Sequence, residues 1–326
     1  MNSVEDDQKT GRWVVAAVVA IALLATAPMV LDRYWLSLLI SVLFWTYLSS
    51  CWNIVGGLAG QFSLGHAAFF GIGAYTSAVL YTRYGLSPWL GMFFGAALSG
   101  FTAAVLGSLT FRYRLTGAYF AIGTLAFSEV IRTLTGSLPY FGQGSGVVIS
   151  MSQTPGWGIL QFQQPVYFFY ILLVMAAAML VLVWTLKRTR FGYRLACIRD
   201  SEAVAQSLGI DANRTKLAAL VLSAALAAPA GTIYAQYLMF VDPQTFLSLG
   251  VGIQIVLPTV IGGAGTVFGP FFGAILLATA VESFNQMSVR PGFGLLAYGL
   301  VLMLSAIFLP RGLWPWIAGL FKRGRR

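Results

Sequence analysis

The sequence predicts an all-α protein that crosses a lipid bilayer about ten times. Three observations carry that prediction. Of its 326 residues 58% are hydrophobic and only 9% charged, with a mean hydropathy of +0.79. A soluble domain of this length carries roughly a quarter charged residues, so most of this chain has no polar shell to offer water. The apolar residues fall into runs of bilayer length, and the basic residues sit between those runs, biased to alternate loops.

Taken in order, the apolar runs and their Gly, Pro and charge boundaries place spans near 13–31, 34–55, 62–82, 88–110 and 115–135. The next are near 166–186, 217–237, 247–262, 266–286 and 293–309. The first run resembles a signal peptide with a cleavage site at Ala25-Thr26-Ala27. It is too long for one, an acidic leader (Glu5, Asp6, Asp7) precedes it, and Pro28 follows the site, so it reads as a membrane helix. Glycine is dense between 55 and 65 and again between 250 and 270, where re-entrant turns compete with simple loops. The whole chain, 1–326, reads as one transmembrane domain with a large basic loop at 187–216 and a basic tail at 311–326.

Charge fixes the expected orientation. With the N-terminus in the cytoplasm, sixteen lysines and arginines fall on inside segments, three (Arg33, Arg83, Arg290) fall outside, and Arg132 falls within a span. That bias is the signature of a correctly counted topology with both termini cytoplasmic. One outside loop, 138–165, carries no charged side chain.

The net charge of +10 does not indicate a nucleic-acid partner, because the cations are dispersed between apolar runs rather than gathered on one face. Two cysteines, one in an apolar run and one in a basic loop, imply no disulfide framework. A single histidine, His66, without carboxylate or cysteine neighbours, gives no metal site, and nothing in the chain clusters as catalytic residues do. Buried carboxylates drive many ion-coupled transporters. Here the spans hold Glu129, Arg132 and, near an outer end, Glu282. Glu129 and Arg132 share a helix face and can neutralise each other, which suits either a structural pair or the solute pathway. No glycine-rich phosphate loop is present, so ATP is not bound by that route and no cofactor is expected on this chain.

The loop 187–216 holds seven basic residues around a short helical stretch, 201–208. Asp200 or Ser201 can cap its start, Glu202 suits the positive end of its dipole, and Gly209 suits its C-terminal cap. A small, alanine-rich helix there fits docking to another protein or an ordinary surface turn. The glycines at 56, 57, 60, 65, 71 and 73 fit close helix packing or a broken helix lined by Gln61, Ser63 and His66. The eighth span is also interrupted, with Gln254 and Pro258, and spans two to five and seven to ten are candidates for an inverted repeat. For His66, a hydrogen bond to a neighbouring span is expected.

Three stretches resemble a known family: GLAGQFSLGHAAFFGIGAY over 57–75, GYRLACIRDSEAVAQSLGI over 192–210 and GGAGTVFGPFFG over 262–273. In that order they resemble branched-chain amino acid ABC transporter permeases, and the coupling loop is more similar to the M-type (LivM-like) subunit than to the H-type. The resemblance implies a multi-pass permease of the bacterial inner membrane that pairs with a second, homologous permease subunit. It implies two ABC ATPase subunits that bind the ATP, and a periplasmic solute-binding protein. It carries the ATPase-coupling role onto Arg199, Asp200, Glu202, Ala203 and Gly209. The family's motif has a second alanine where this chain has Val204, which bears on how tightly the loop docks. The implied solutes are branched-chain or other small hydrophobic amino acids, with urea, short amides or another small neutral solute as the alternative. A secondary transporter or channel is the competing class.

Overall fold

The computed structural model describes residues 26–28, 31–152, 156–286, 299, 303 and 312–316, and these are almost wholly helical. Helix α1 (Arg33–Asn53) runs on into a π-turn (Ile54–Leu58), followed by α2 (His66–Tyr84), α3 (Pro88–Arg112) and α4 (Gly117–Ser137). Then come α5 (Pro165–Arg188), the short α6 (Arg190–Asp200) and α7 (Glu202–Ser207), and the long α8 (Ala212–Leu238). The series closes with α9 (Pro243–Leu247), α10 (Leu249–Gly262) and α11 (Gly269–Gln286). Five stretches are long and apolar enough to cross a membrane: Arg33–Leu58, Pro88–Arg112, Pro165–Arg188, Ala212–Leu238 and Pro243–Gly262. Helices α2, α4 and α11 occupy three further expected positions. The expected first and last spans and the basic tail lie almost entirely outside the described residues, and with them both termini.

Three details differ from the sequence reading. The third span begins at His66 rather than 62, because Gly60 adopts a left-handed φ of +69° and breaks the run after the π-turn. The eighth begins at Leu249 rather than 247, with Ser248 separating it from α9 and capping α10 by accepting from Val251 N–H. The protein is also not purely helical. Val147–Val148 pairs antiparallel with Phe240–Val241 and clips the uncharged 138–165 loop onto the connection after α8.

Successive long helices reverse direction, so their junctions fall at two ends. Residues 54–65, 113–116, 189–211 and 263–268 share one end, as contacts among Gly57, Arg199, Lys187 and Gly265 and of Lys216 with Phe111 show. The opposite end gathers 85–87, 138–152, 156–164 and 239–248. There Arg83 donates to Tyr140 O and lies over its ring, Ser87 Oγ donates to Gly158 O, and Trp89 Nε1 donates to Trp157 O. Among the described residues, the first end holds Arg112, Arg114, Lys187, Arg188, Arg190, Arg194, Arg199, Arg214 and Lys216. The second holds only Arg33 and Arg83.

The interior explains the glycine content. In lipid, helices associate through close packing and polar bridges rather than hydrophobic exclusion. A side chain at Gly231 of α8 would collide with Phe70 O of α2, and Cβ at Gly95 of α3 would lie 3.1 Å from Gly73 Cα. Hydroxyls bridge further pairs of helices: Tyr47 OH donates to Leu226 O at 2.6 Å, Ser99 Oγ to Ala224 O at 2.8 Å and Thr259 Oγ1 to Ser49 O at 2.8 Å. Helix α1 is buried along most of its length. Phe93, Phe94 and Phe101 of α3 and Val174 and Val181 of α5 point outward, where lipid would replace water.

Candidate functional site

The basic end carries a hairpin of two short helices whose ends are set by local chemistry. Thr189 Oγ1 accepts from Gly192 N–H and starts α6. Ser201, rather than Asp200, caps α7 by accepting from Val204 N–H. At the other end Gly209 takes a φ of +81°, its N–H donates to Gln206 O, and Ile210 N–H donates to Ala205 O. Those paired bonds form a Schellman motif, and Ile210 packs on Ala205 with Ile198 and Ala212, which joins α6, α7 and α8 in one small apolar cluster.

The five residues assigned to the coupling loop divide into two sets. Asp200, Ala203 and Gly209 are exposed. Glu202 turns inward and accepts from Lys216 Nζ at 2.8 Å; that lysine is 2% exposed and also lies 5.2 Å from the Phe111 ring. Arg199, though exposed, reaches back to donate to Gly57 O at 3.4 Å and to Asp200 Oδ1 at 3.2 Å. The outward face contains apolar groups: Val204, already noted for its place in the motif, and two that sequence reasoning passed over, Tyr193 on α6 and Leu208, the C-cap of α7 one turn after Val204; Val204 and Leu208 are 57% and 69% exposed. The signal for Leu208 was its i, i+4 spacing from Val204 beside a helix otherwise made of small and polar residues.

Beneath the hairpin lies a junction of two glycine turns. Helices α1 and α10 both end here, so both present unsatisfied carbonyls and the negative end of a dipole. Asn53 joins them: its Oδ1 accepts from Gly265 N–H and its Nδ2 donates to Thr266 O, both at 2.8 Å. Gly57 lies so close to Gly265 that a Cβ there would strike Gly265 N, and Gly265 itself has a φ of +76°. Lys187 Nζ, from the last turn of α5, donates to Gly265 O at 2.7 Å. The glycines therefore serve the close packing the sequence allowed, at the place where two helices end.

Residues 59–65 then turn back into the protein. Leu64 N–H donates to Thr124 Oγ1 within α4, and Trp52 Nε1 donates to Ser63 O at 2.7 Å. His66, fully buried, bonds Ser223 Oγ at 2.7 Å through Nε2 and Ser63 Oγ at 3.2 Å through Nδ1. Ser223 lies about three turns into α8. Its hydroxyl hydrogen goes to Cys51 O at 2.7 Å, so Ser223 accepts from His66, which places the imidazole proton on Nε2. His66 thus makes the interhelical bond expected of it. Of the residues assigned to the solute pathway, Ser63 and His66 are buried and bonded to protein, whereas Gln61 and Gln254 are half-buried. Gln61 Oε1 is enclosed without a partner.

Glu129 and Arg132 form the expected i, i+3 pair, doubly hydrogen-bonded, on the exposed face of α4 beside Val130 and Leu134. The pair is at the surface of this chain rather than in its interior.

Such a body, a helical bundle with several membrane-length apolar helices and a basic hairpin at one end, is that of a multi-pass membrane protein. The family model described as the branched-chain amino acid transport system permease component matches residues 34–306. The high-affinity branched-chain amino acid transport permease protein LivM of Escherichia coli (strain K12) is 29% identical over 324 residues, covering 91% of this chain and 74% of its own. LivM of Salmonella typhimurium is 30% identical over 292 residues, 81% of this chain and 66% of that protein. The autoinducer 2 import permease LsrC of Enterobacter sp. (strain 638) is 30% identical over 200 residues, 59% of this chain and 55% of its own. No solved structure matches the chain. The chain belongs to the branched-chain amino acid transport permease family and is LivM-like within it.

Proposed function

We propose that this chain is the permease subunit of an ATP-driven importer that carries branched-chain amino acids into the cytoplasm across the bacterial inner membrane. The likeness to LivM over nearly the whole chain supports the solute class. A second permease subunit completes the pore, a solute-binding protein delivers from outside, and two ATPase subunits bind and hydrolyse ATP. The basic end faces the cytoplasm, as the distribution of arginine and lysine supports.

The hairpin carries this reading. Its inner face is fixed to the protein by Glu202–Lys216 and by the apolar cluster under Ile210, while its outer face presents Tyr193, Val204 and Leu208 to solvent. Large apolar groups held out on a braced surface mark a protein-docking site. ATPase subunits dock there, with Val204 adding apolar area where the family pattern has alanine. The exposed Glu129–Arg132 pair on α4 faces the second permease subunit, because charges at membrane depth are costly against lipid.

The test is docking. Val204→Asp with Leu208→Asp removes the apolar face while leaving both caps intact. In the co-expressed complex we expect the permease to remain in the membrane at normal level while ATPase subunits are lost from it on purification. ATPase subunits retained at the wild-type ratio would refute the assignment.

A further inference from the structure

We infer that Lys187 and Arg199 are positioning residues that tie the docking hairpin to the glycine junction, so that displacement of the hairpin moves the inner ends of α1 and α10 together. This rests on the reading of the hairpin as the ATPase-docking element.

The geometry is as follows. Two helix C-termini meet where Gly57 and Gly265 touch, and Asn53 bridges them with two hydrogen bonds. Carbonyls at such ends carry partial negative charge, which a cation satisfies. Each receives one: Gly265 O from Lys187 at the end of α5, and Gly57 O from Arg199 at the end of α6. Arg199 also packs over Gly60, where a Cβ would lie 2.9 Å from its Cγ. Arg199 sits in the last turn of α6 and Lys187 in the last turn of α5, joined to the start of α6 through Thr189, so a rotation or shift of α6 pulls on Gly57 directly and on Gly265 through the α5–α6 corner. Since the turns are joined through Asn53, neither moves alone. From the junction the path inward is short. The π-turn leads to residues 59–65, and Trp52 of α1 holds Ser63.

Magnitude separates this role from a structural one. The Arg199 side chain is 41% exposed, and a partly exposed cation adds little to stability. Bonds that hold so little of the fold yet connect the hairpin to the ends of both helices are suited to transmission.

The complete complex, with second permease, ATPase subunits and binding protein, is reconstituted in proteoliposomes with radiolabelled L-leucine. Lys187→Met, Arg199→Met and the double variant are compared with Lys187→Arg and Arg199→Lys. We expect the Met variants to retain bound ATPase, melting temperature and basal hydrolysis. Leucine-stimulated hydrolysis and uptake should fall at least tenfold and be restored in large part by the charge-keeping variants. Stimulation and uptake at wild-type level in the double Met variant would overturn the inference. If the Met variants fail to assemble, Lys187→Gln and Arg199→Gln, which keep a donor for each carbonyl, are read by the same criteria. Failure of those to assemble would also overturn it, by making the pair structural. If the wild-type complex binds no ATPase subunit, the docking reading itself fails, which is a separate result.

Discussion

His66 shows how a lone imidazole is used inside a membrane protein. Its two nitrogens bond Ser223 and Ser63, and Ser223 passes its hydrogen to the Cys51 carbonyl, so three segments are joined by one neutral network. Removing one partner of a buried hydrogen bond costs the desolvation of what is left, about 1–3 kcal/mol. His66→Ala should therefore lower the melting temperature of the purified chain in detergent, and an unchanged melting temperature would mean that the network contributes nothing. The Glu129–Arg132 pair was legible in the sequence, because an i, i+3 spacing on a helix needs no long-range information. The partner of His66 lies 157 residues away, and no local pattern announces it. Glu202 was legible only by half: its place at a helix start was evident, while its bond to the buried Lys216 waits on the fold of α8.

The same division holds among the elements. Both ends of α7 could be read from Ser201, Glu202 and Gly209, since capping is chemistry between neighbours. Helix α6 could not, because four of its charged residues interrupt the hydropathy. Phe191, Leu195 and Ile198 nonetheless recur at helical spacing, and the latter two are buried. Long helices were placed to within a few residues by their apolar length, whereas the return of 59–65 into the interior depends on Gly60 and on contacts with α4 and α8. Close approach of α2 and α8 is the packing feature most open to test. Gly231→Val would drive a branched side chain into Phe70 O, and overpacking of this kind costs about 1–3 kcal/mol or more. We expect Gly231→Val to reduce both the amount of folded protein and its melting temperature. Wild-type values for both would show that the two helices have room to separate.

At the scale of the whole molecule, the alternation of basic and non-basic ends is the property that the positions of lysine and arginine along the chain foretold, and among the described residues the helix junctions sort into the same two groups. Cys197, exposed on α6, and Cys51, buried in α1, supply a native reporter of orientation. A membrane-impermeant maleimide should label Cys197 in inside-out vesicles and leave it untouched in right-side-out vesicles; the reverse would invert the topology. What the sequence could not disclose is that its three familiar stretches, 57–75, 192–210 and 262–273, converge through Gly57, Arg199 and Gly265 on a single junction. On the proposed function, this chain translocates solute only when ATPase subunits act on that end. The most direct measurement is L-leucine uptake into proteoliposomes containing this chain alone or the complete complex, with and without ATP. We expect accumulation only with the complete complex and ATP; leucine uptake by the isolated chain, indifferent to ATP, would contradict it.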